Sequence, residues 1–206
     1  MIIKVCGMRD AENIREVEAL GVDWMGFIFY RPSSRFVGSR PAYLPERCKR
    51  VGVFVNSTIE EIMQKTEEFG LHLVQLHGGE SPEFCCRLRS LLPIVTGIIK
   101  MVGISGKADM EATAAYTPFV DYFLFESPCS SYGGSGKKFD WSLLERYEGS
   151  KPFILTGGIG PDDAEEILAL THPHFAGIDL NSRFELSPGQ KDTDKLRTFI
   201  NKIRTT

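Results

Sequence analysis

The chain reads as an α/β protein, a single compact (β/α)8 TIM barrel with residues 1–206 as one domain. Three observations predict this. Short apolar runs rich in Val, Ile and Phe recur from end to end, and continuous runs of that length mark strands buried on both faces. Helix-start signals lie between most of them. Strand and helix therefore alternate about eight times, which calls for parallel strands joined by crossovers. Eight units favour a closed barrel, shorter than the typical ~250 residues. A doubly wound open sheet is the second topology that fits the alternation.

The first run, IIKV at 2–5, precedes Asp10, which is placed to cap a helix closed by Gly21. WMGFIF at 24–29 is the second strand, and 38–50 carries only a weak helical pattern. After VGVFV at 51–55, Thr58 and Glu61 form a capping box. After HLVQL at 72–76, Ser81-Pro82 supplies an N-cap and a proline at the first helical position. GIIKMV at 97–102 precedes a second weak helical stretch, 103–120. DYFLF at 121–125 and FILT at 153–156 follow, and Pro161 is expected to open a helix carrying Ala164, Ile167 and Leu168. After AGIDL at 176–180, Leu196, Phe199, Ile200 and Ile203 fall on one helical face.

A formal net charge of -3 over 206 residues gives no electrostatic case for a nucleic-acid or anionic-membrane partner. No apolar run approaches the ~18–20 residues of a membrane span. The opening MIIKVCGMRD lacks the pattern of a signal peptide, so the expected compartment is the cytoplasm. The five cysteines fit it: their number is odd and no CxxC pair suggests zinc. Most are expected to be small core residues.

In a barrel of this kind, chemistry sits at the C-terminal ends of the strands. The residues just after each apolar run are Cys6, Arg31 and Arg35, Asn56, His77, Glu126, then TGGIGPDD and NSRFE. Gly157 and Gly158 would let backbone N–H groups approach a phosphate, with Asn181 and Ser182 adding donors from the next loop. Asp162 and Asp163 oppose an anion unless they turn outward. SYGGSGKK at 131–138 is long enough to fold over a bound anion as a lid. It is no nucleotide P-loop, because Gly136-Lys137 is followed by Lys138 rather than Ser or Thr. A thiol at Cys6 needs a nearby cation or helix N-terminus to act near neutral pH. Lys4 is expected on the opposite face of the strand, which leaves the start of the first helix. His77 and Arg35 carry little signal in isolation. His72, His172 and His174 are given no chemical role.

Cys6-Gly7 after IIKV, then SSRF, VGVFVN, VQLHGGE, YGGSGKKFDW, TGGI and SPGQKD occur in order across nearly the whole chain. Together they closely resemble the phosphoribosylanthranilate isomerase family of tryptophan biosynthesis. The resemblance implies a (β/α)8 fold, no metal or organic cofactor, and an Amadori rearrangement. In that reaction N-(5-phosphoribosyl)anthranilate, an aminoaldose, becomes 1-(2-carboxyphenylamino)-1-deoxyribulose 5-phosphate. The partner is thus a sugar phosphate bearing an anthranilate group, and the family includes monomers and homodimers. The resemblance makes Cys6 the general base and Glu126 the general acid. It sets Arg35 near the anthranilate carboxylate, with His77 also at the substrate. Phosphate falls at Gly157, Gly158 and the strand-8 loop with Asn181 and Ser182. Three departures stand out. Glu126 replaces the usual aspartate, Ser127 a common threonine, and NSRFE the usual SSGVE, which places Arg183 at a small-residue position. The competing readings are a histidine-pathway isomerase with the same Amadori chemistry, and an impaired or non-catalytic phosphate-binding homologue.

Overall fold

Eight parallel strands close on themselves in a computed structural model that describes residues 1–127 and 138–205. They are β1 (Ile2–Val5), β2 (Trp24–Ile28), β3 (Lys49–Phe54), β4 (Leu73–Leu76), β5 (Gly97–Gly103), β6 (Tyr122–Glu126), β7 (Phe153–Leu155) and β8 (Phe175–Leu180). Closure comes from β8 on β1, where Ile3 pairs Ile178 and Lys4 pairs Asp179. The predicted barrel is therefore present and the open sheet is not.

The longer helices begin where a capping side chain starts them. Asp10 accepts from the Asn13 N–H at 2.9 Å and opens α1 (Ala11–Ala19). Thr58 and Glu61 make the reciprocal capping box of α2 (Ile59–Phe69), and Gly70 ends it at φ 56°. Ser81 caps α3 (Pro82–Leu91), with proline at the first turn. The last helix, α6 (Thr193–Arg204), buries Leu196, Phe199, Ile200 and Ile203 as the periodicity requires.

Several crossovers depart from a full helix. Residues 38–50 form none. The Glu18 carboxylate reaches from α1 to accept the N–H groups of Glu46 and Arg47 and the Tyr43 hydroxyl, which satisfies this segment without helical bonds. The stretch after β5 holds only the short α4 (Lys107–Glu111) and a 3-10 turn, Ala112–Ala115. Between β6 and β7 the described residues hold one 3-10 segment, Trp141–Arg146. Pro161 does not open a helix. Asp163 is the N-cap of α5 (Ala164–Leu168), and Pro161 lies in a turn where the Asp163 carboxylate accepts from Gly160 N–H. A hairpin unforeseen from sequence follows β8: β9 (Glu185–Ser187) and β10 (Gln190–Lys191).

Two apolar regions hold the barrel. One lies between strands and helices and includes Ile3, Val5, Ile178 and Leu180. The other fills the N-terminal half of the barrel interior with Trp24, Val51, Leu73, Ile99, Leu124 and Ile154. Because side chains alternate along a strand, the next inward positions toward the C-terminal rim belong to the pocket. His72 lies just before β4, where its Nδ1 accepts from Arg50 N–H. His172 and His174 pack against the Tyr147 ring, away from the pocket.

Candidate active site

One cavity opens at the C-terminal rim, and it gathers the eight residues expected to be catalytic or substrate-binding, while Arg31 and Asn56, also at strand ends, do not line it. Cys6, Arg35, His77, Glu126, Gly157, Gly158, Asn181 and Ser182 line it.

Cys6 follows β1 and is buried, with its N–H bonded to Leu180 O at 2.9 Å. Its place depends on Gly26 of β2, where a Cβ would stand 2.7 Å from the Cys6 sulfur. The expected orientation of Lys4 is corrected here. Residues two apart on a strand share a face, so Lys4 lies on the inner face with Cys6. Fully buried, Lys4 places Nζ 2.6 Å from Asp179 Oδ2 on β8. Burial alone would lower the Lys4 ammonium, but the Asp179 carboxylate outweighs it and holds the ammonium above its ordinary range. Burial, joined by the Asp179 carboxylate, holds the Cys6 thiol above its ordinary value, and the Lys4 and Lys191 cations offset only part of that. The cation a thiolate needs is therefore inside the barrel rather than at a helix start.

Glu126 ends β6, directly after Phe125 and two residues beyond the inward Leu124. It is 8% exposed, so the carboxyl is sheltered yet reachable from the cavity. Its Oε2 lies 3.2 Å from His77 Nε2. Gly157, at φ 91°, clears its path: a Cβ there would come within 3.1 Å of Glu126 Cγ.

His77 is held by the loop after β4. The Glu80 carboxylate accepts from the N–H groups of Asn56 and Gly78, and Lys100 bridges Gly78 O at 2.7 Å and Glu80 Oε2 at 3.0 Å. The Asn56 side chain accepts from Gly79 N–H. Inside the barrel, Gln75 Nε2 is 3.1 Å from His77 Nδ1.

Arg35 reaches the cavity across the buried Glu185 of β9, giving Nε to Oε1 at 2.9 Å and Nη2 to Oε2 at 2.6 Å. Lys191 Nζ reaches Glu185 Oε1 at 2.6 Å and Asn181 Oδ1 at 2.7 Å. Burial raises the Glu185 carboxyl, yet Arg35 and Lys191 together win and hold it below its usual range. The hairpin thus anchors the guanidinium, leaving Nη1 without a hydrogen bond among the described residues.

Gly157 and Gly158 both adopt positive φ, 91° and 72°, and their N–H groups have no protein acceptor among the described residues. Ser182 begins a 3-10 turn beside them in the cavity wall. Asp163 is turned away to Gly160 N–H and to Lys138, which also meets Glu166 Oε2 at 3.1 Å. The lid stretch 131–138 lies outside the described residues except for Lys138, whose ammonium these carboxylates engage. Among the described residues no cluster of three or more His, Cys, Asp or Glu is arranged to hold a metal ion.

Sequence reasoning missed Lys4, Gln75, Asp179, Glu185 and Lys191. Lys4, Gln75 and Asp179 were detectable as polar residues at inward positions of otherwise apolar strands. Glu185 and Lys191 became neighbours only through the hairpin.

A family model described as N-(5'phosphoribosyl)anthranilate (PRA) isomerase matches residues 3–202. The chain is 50% identical over 204 residues to N-(5'-phosphoribosyl)anthranilate isomerase of Phocaeicola vulgatus, covering 99% of this chain and 98% of that protein. It is 54% identical over 209 residues to that of Parabacteroides distasonis, covering 98% and 93%. The phosphoribosyl anthranilate isomerase structure from Thermotoga maritima superposes over 100% of both chains with a TM-score of 0.83 at 32% identity. A structure of such an isomerase in complex with reduced 1-(o-carboxyphenylamino)-1-deoxyribulose 5-phosphate superposes over 100% of both chains, with a TM-score of 0.81 at 30% identity.

Proposed function

Because the chain belongs to the N-(5'-phosphoribosyl)anthranilate isomerase family, we propose that Cys6 and Glu126 serve as base and acid of its isomerisation. The protein is an intramolecular aldose–ketose isomerase of tryptophan biosynthesis. Its substrate is a small sugar phosphate, and we assign it the anthranilate-bearing one, bound by the domain of residues 1–206. The observation that carries the assignment is that a sheltered thiol just after β1 and a sheltered carboxyl on β6 line one cavity with two glycine N–H groups that have no acceptor among the described residues.

The steps follow from that arrangement. Glu126, as the carboxylic acid, gives its proton to the furanose ring oxygen. The C1′–O bond breaks with its electron pair on oxygen, and the nitrogen lone pair forms the C1′=N iminium. The Cys6 thiolate takes the C2′ proton. The released pair forms C1′=C2′ while the iminium pair returns to nitrogen, and the enolamine tautomerises to the ketone. Arg35, steadied by Glu185, offers Nη1 to the anthranilate carboxylate. The Gly157 and Gly158 N–H groups with Ser182 receive the phosphate. His77 at Glu126 supports the longer acid as a working group, so no observation favours the impaired reading.

Cys6→Ala and Glu126→Gln test the assignment. Each is expected to lower kcat by about 10²–10⁴-fold while leaving thermal unfolding unchanged. Full activity in Glu126→Gln removes the acid assignment. Turnover of the histidine-pathway aminoaldose in place of this one would move the substrate to that pathway. No helix among the described residues is long and apolar enough to cross a membrane, and we place the enzyme in the cytoplasm as a monomer or homodimer.

A further inference from the structure

The imidazole of His77 has a polar neighbour at each nitrogen: a hydrogen bond at Nδ1 and an ion-pair contact at Nε2. Nε2 faces Glu126 Oε2 at 3.2 Å and Nδ1 faces Gln75 Nε2 at 3.1 Å. Gln75 is 1% exposed and comes from β4, two residues before His77, so both side chains enter the barrel together. The other end of the amide, Gln75 Oε1, is buried with no partner among the described residues. A buried amide is ordinarily bonded at both ends. Here only His77 selects which end of the amide faces the ring.

Neutral imidazole has one donor and one acceptor nitrogen, while a carboxamide offers both roles and exchanges them by a half-turn. A general acid must exist in two forms in every turnover. As a carboxylic acid, Glu126 donates to Nε2, so Nδ1 carries the hydrogen and needs an acceptor. As a carboxylate, Glu126 accepts from Nε2–H, so Nδ1 needs a donor. Gln75 meets the first need with Oε1 and the second with Nε2.

We propose that Gln75 is a positioning residue whose free-ended amide turns over with the His77 tautomer, so that Glu126 keeps a hydrogen-bond partner in both protonation states. The role rests on the assignment of Glu126 as acid. It accounts for an acid with one more rotatable bond than aspartate staying aimed at the cavity through the cycle. Cys6, Tyr30, Arg35 and Asp179 are the other ionisable groups that line this cavity with the pair.

Gln75→Met keeps the volume and removes both roles, and Gln75→Glu keeps only the acceptor. Histidine ¹⁵N NMR reads the His77 tautomer independently of activity. At pH 8 the wild-type enzyme is expected to show the Nε2–H form, Gln75→Met a mixture, and Gln75→Glu the Nδ1–H form. In both variants kcat is expected to fall about tenfold to a hundredfold, with KM little changed, as for a lost hydrogen bond to an ionised group. A wild-type Nδ1–H form, or either kcat or the tautomer unmoved in the variants, overturns the proposal. Should Gln75→Met fail to fold, the wild-type spectrum and Gln75→Glu still decide. An inactive Glu126→Gln with fully active Gln75 variants removes only this inference; an active Glu126→Gln removes the acid assignment beneath it.

Discussion

The two ends of the barrel interior come from the same strands yet have opposite chemistry. Toward the N-terminal ends, Trp24, Val51, Leu73, Ile99, Leu124 and Ile154 fill the interior with hydrocarbon and aromatic surface. One inward position further on, Leu73 gives way to Gln75, Leu124 to Glu126, and Ile2 to Lys4. The lower end has one side-chain polar group among these six, the Trp24 indole N–H, and owes its stability to area removed from water. The upper end buries Lys4, Gln75, Asp179 and Glu126 and must find each of them a partner. A strand thus carries a packing role and a chemical role two residues apart, and function costs the fold only at one rim.

The sharpest way to break this contrast is to remove one buried partner. Lys4→Met strands the Asp179 carboxylate, whose Oδ1 already lacks a partner among the described residues, and is expected to cost about 3–5 kcal/mol in chemical denaturation. Lys4→Met with Asp179→Leu makes the upper end resemble the lower one and should restore most of that stability while leaving turnover low. Recovery of both would show that Cys6 does not need the Lys4 cation.

Leu124→Ala probes the lower end. A cavity in the apolar layer is expected to cost about 2–5 kcal/mol with kcat/KM nearly unchanged at temperatures where the protein stays folded. A large kinetic loss would mean the two ends are not separable.

Glu126→Asp keeps the carboxyl and withdraws it by about 1 Å from His77 Nε2, a displacement expected to cost on the order of 100-fold in kcat/KM. Equal or faster turnover would show that the rim is built for the shorter acid.

The smallest effect concerns pH. The Glu185 carboxyl is held below its ordinary range by Arg35 and Lys191 against the opposing pull of burial. Its contribution to stability is therefore present above the unfolded value, about 4.3, and is lost as pH falls through the lower folded value. Acid unfolding followed by circular dichroism should begin at higher pH in Glu185→Gln and lose part of its slope. An unchanged profile would show that the hairpin cluster does not set acid stability.

Most of the barrel and the rim was legible because both rest on local rules. Runs of Val, Ile and Phe specify buried strands, and Asp10, Thr58 with Glu61, and Ser81 specify where helices begin. A polar residue after each run specifies the rim. The segment 38–50 was not legible, because a carboxylate from another helix, Glu18, satisfies its backbone. Pro161 misled for a similar reason, since the Gly160–Asp163 turn delays the helix.

By itself the sequence determined the eight-fold alternation, the caps, and the ordered motifs that place Cys6, His77, Glu126 and the glycine pair at strand ends. These depend on residues within a few positions of one another, where propensity and alternation act. Only the tertiary structure decided that Lys4 meets Asp179 across the β1–β8 closure, and that Glu185 and Lys191 brace Arg35. It alone set His77 between Gln75 and Glu126. Those contacts join residues from separate strands and loops, and their energies come from burial and pairing, which exist only once the barrel has closed.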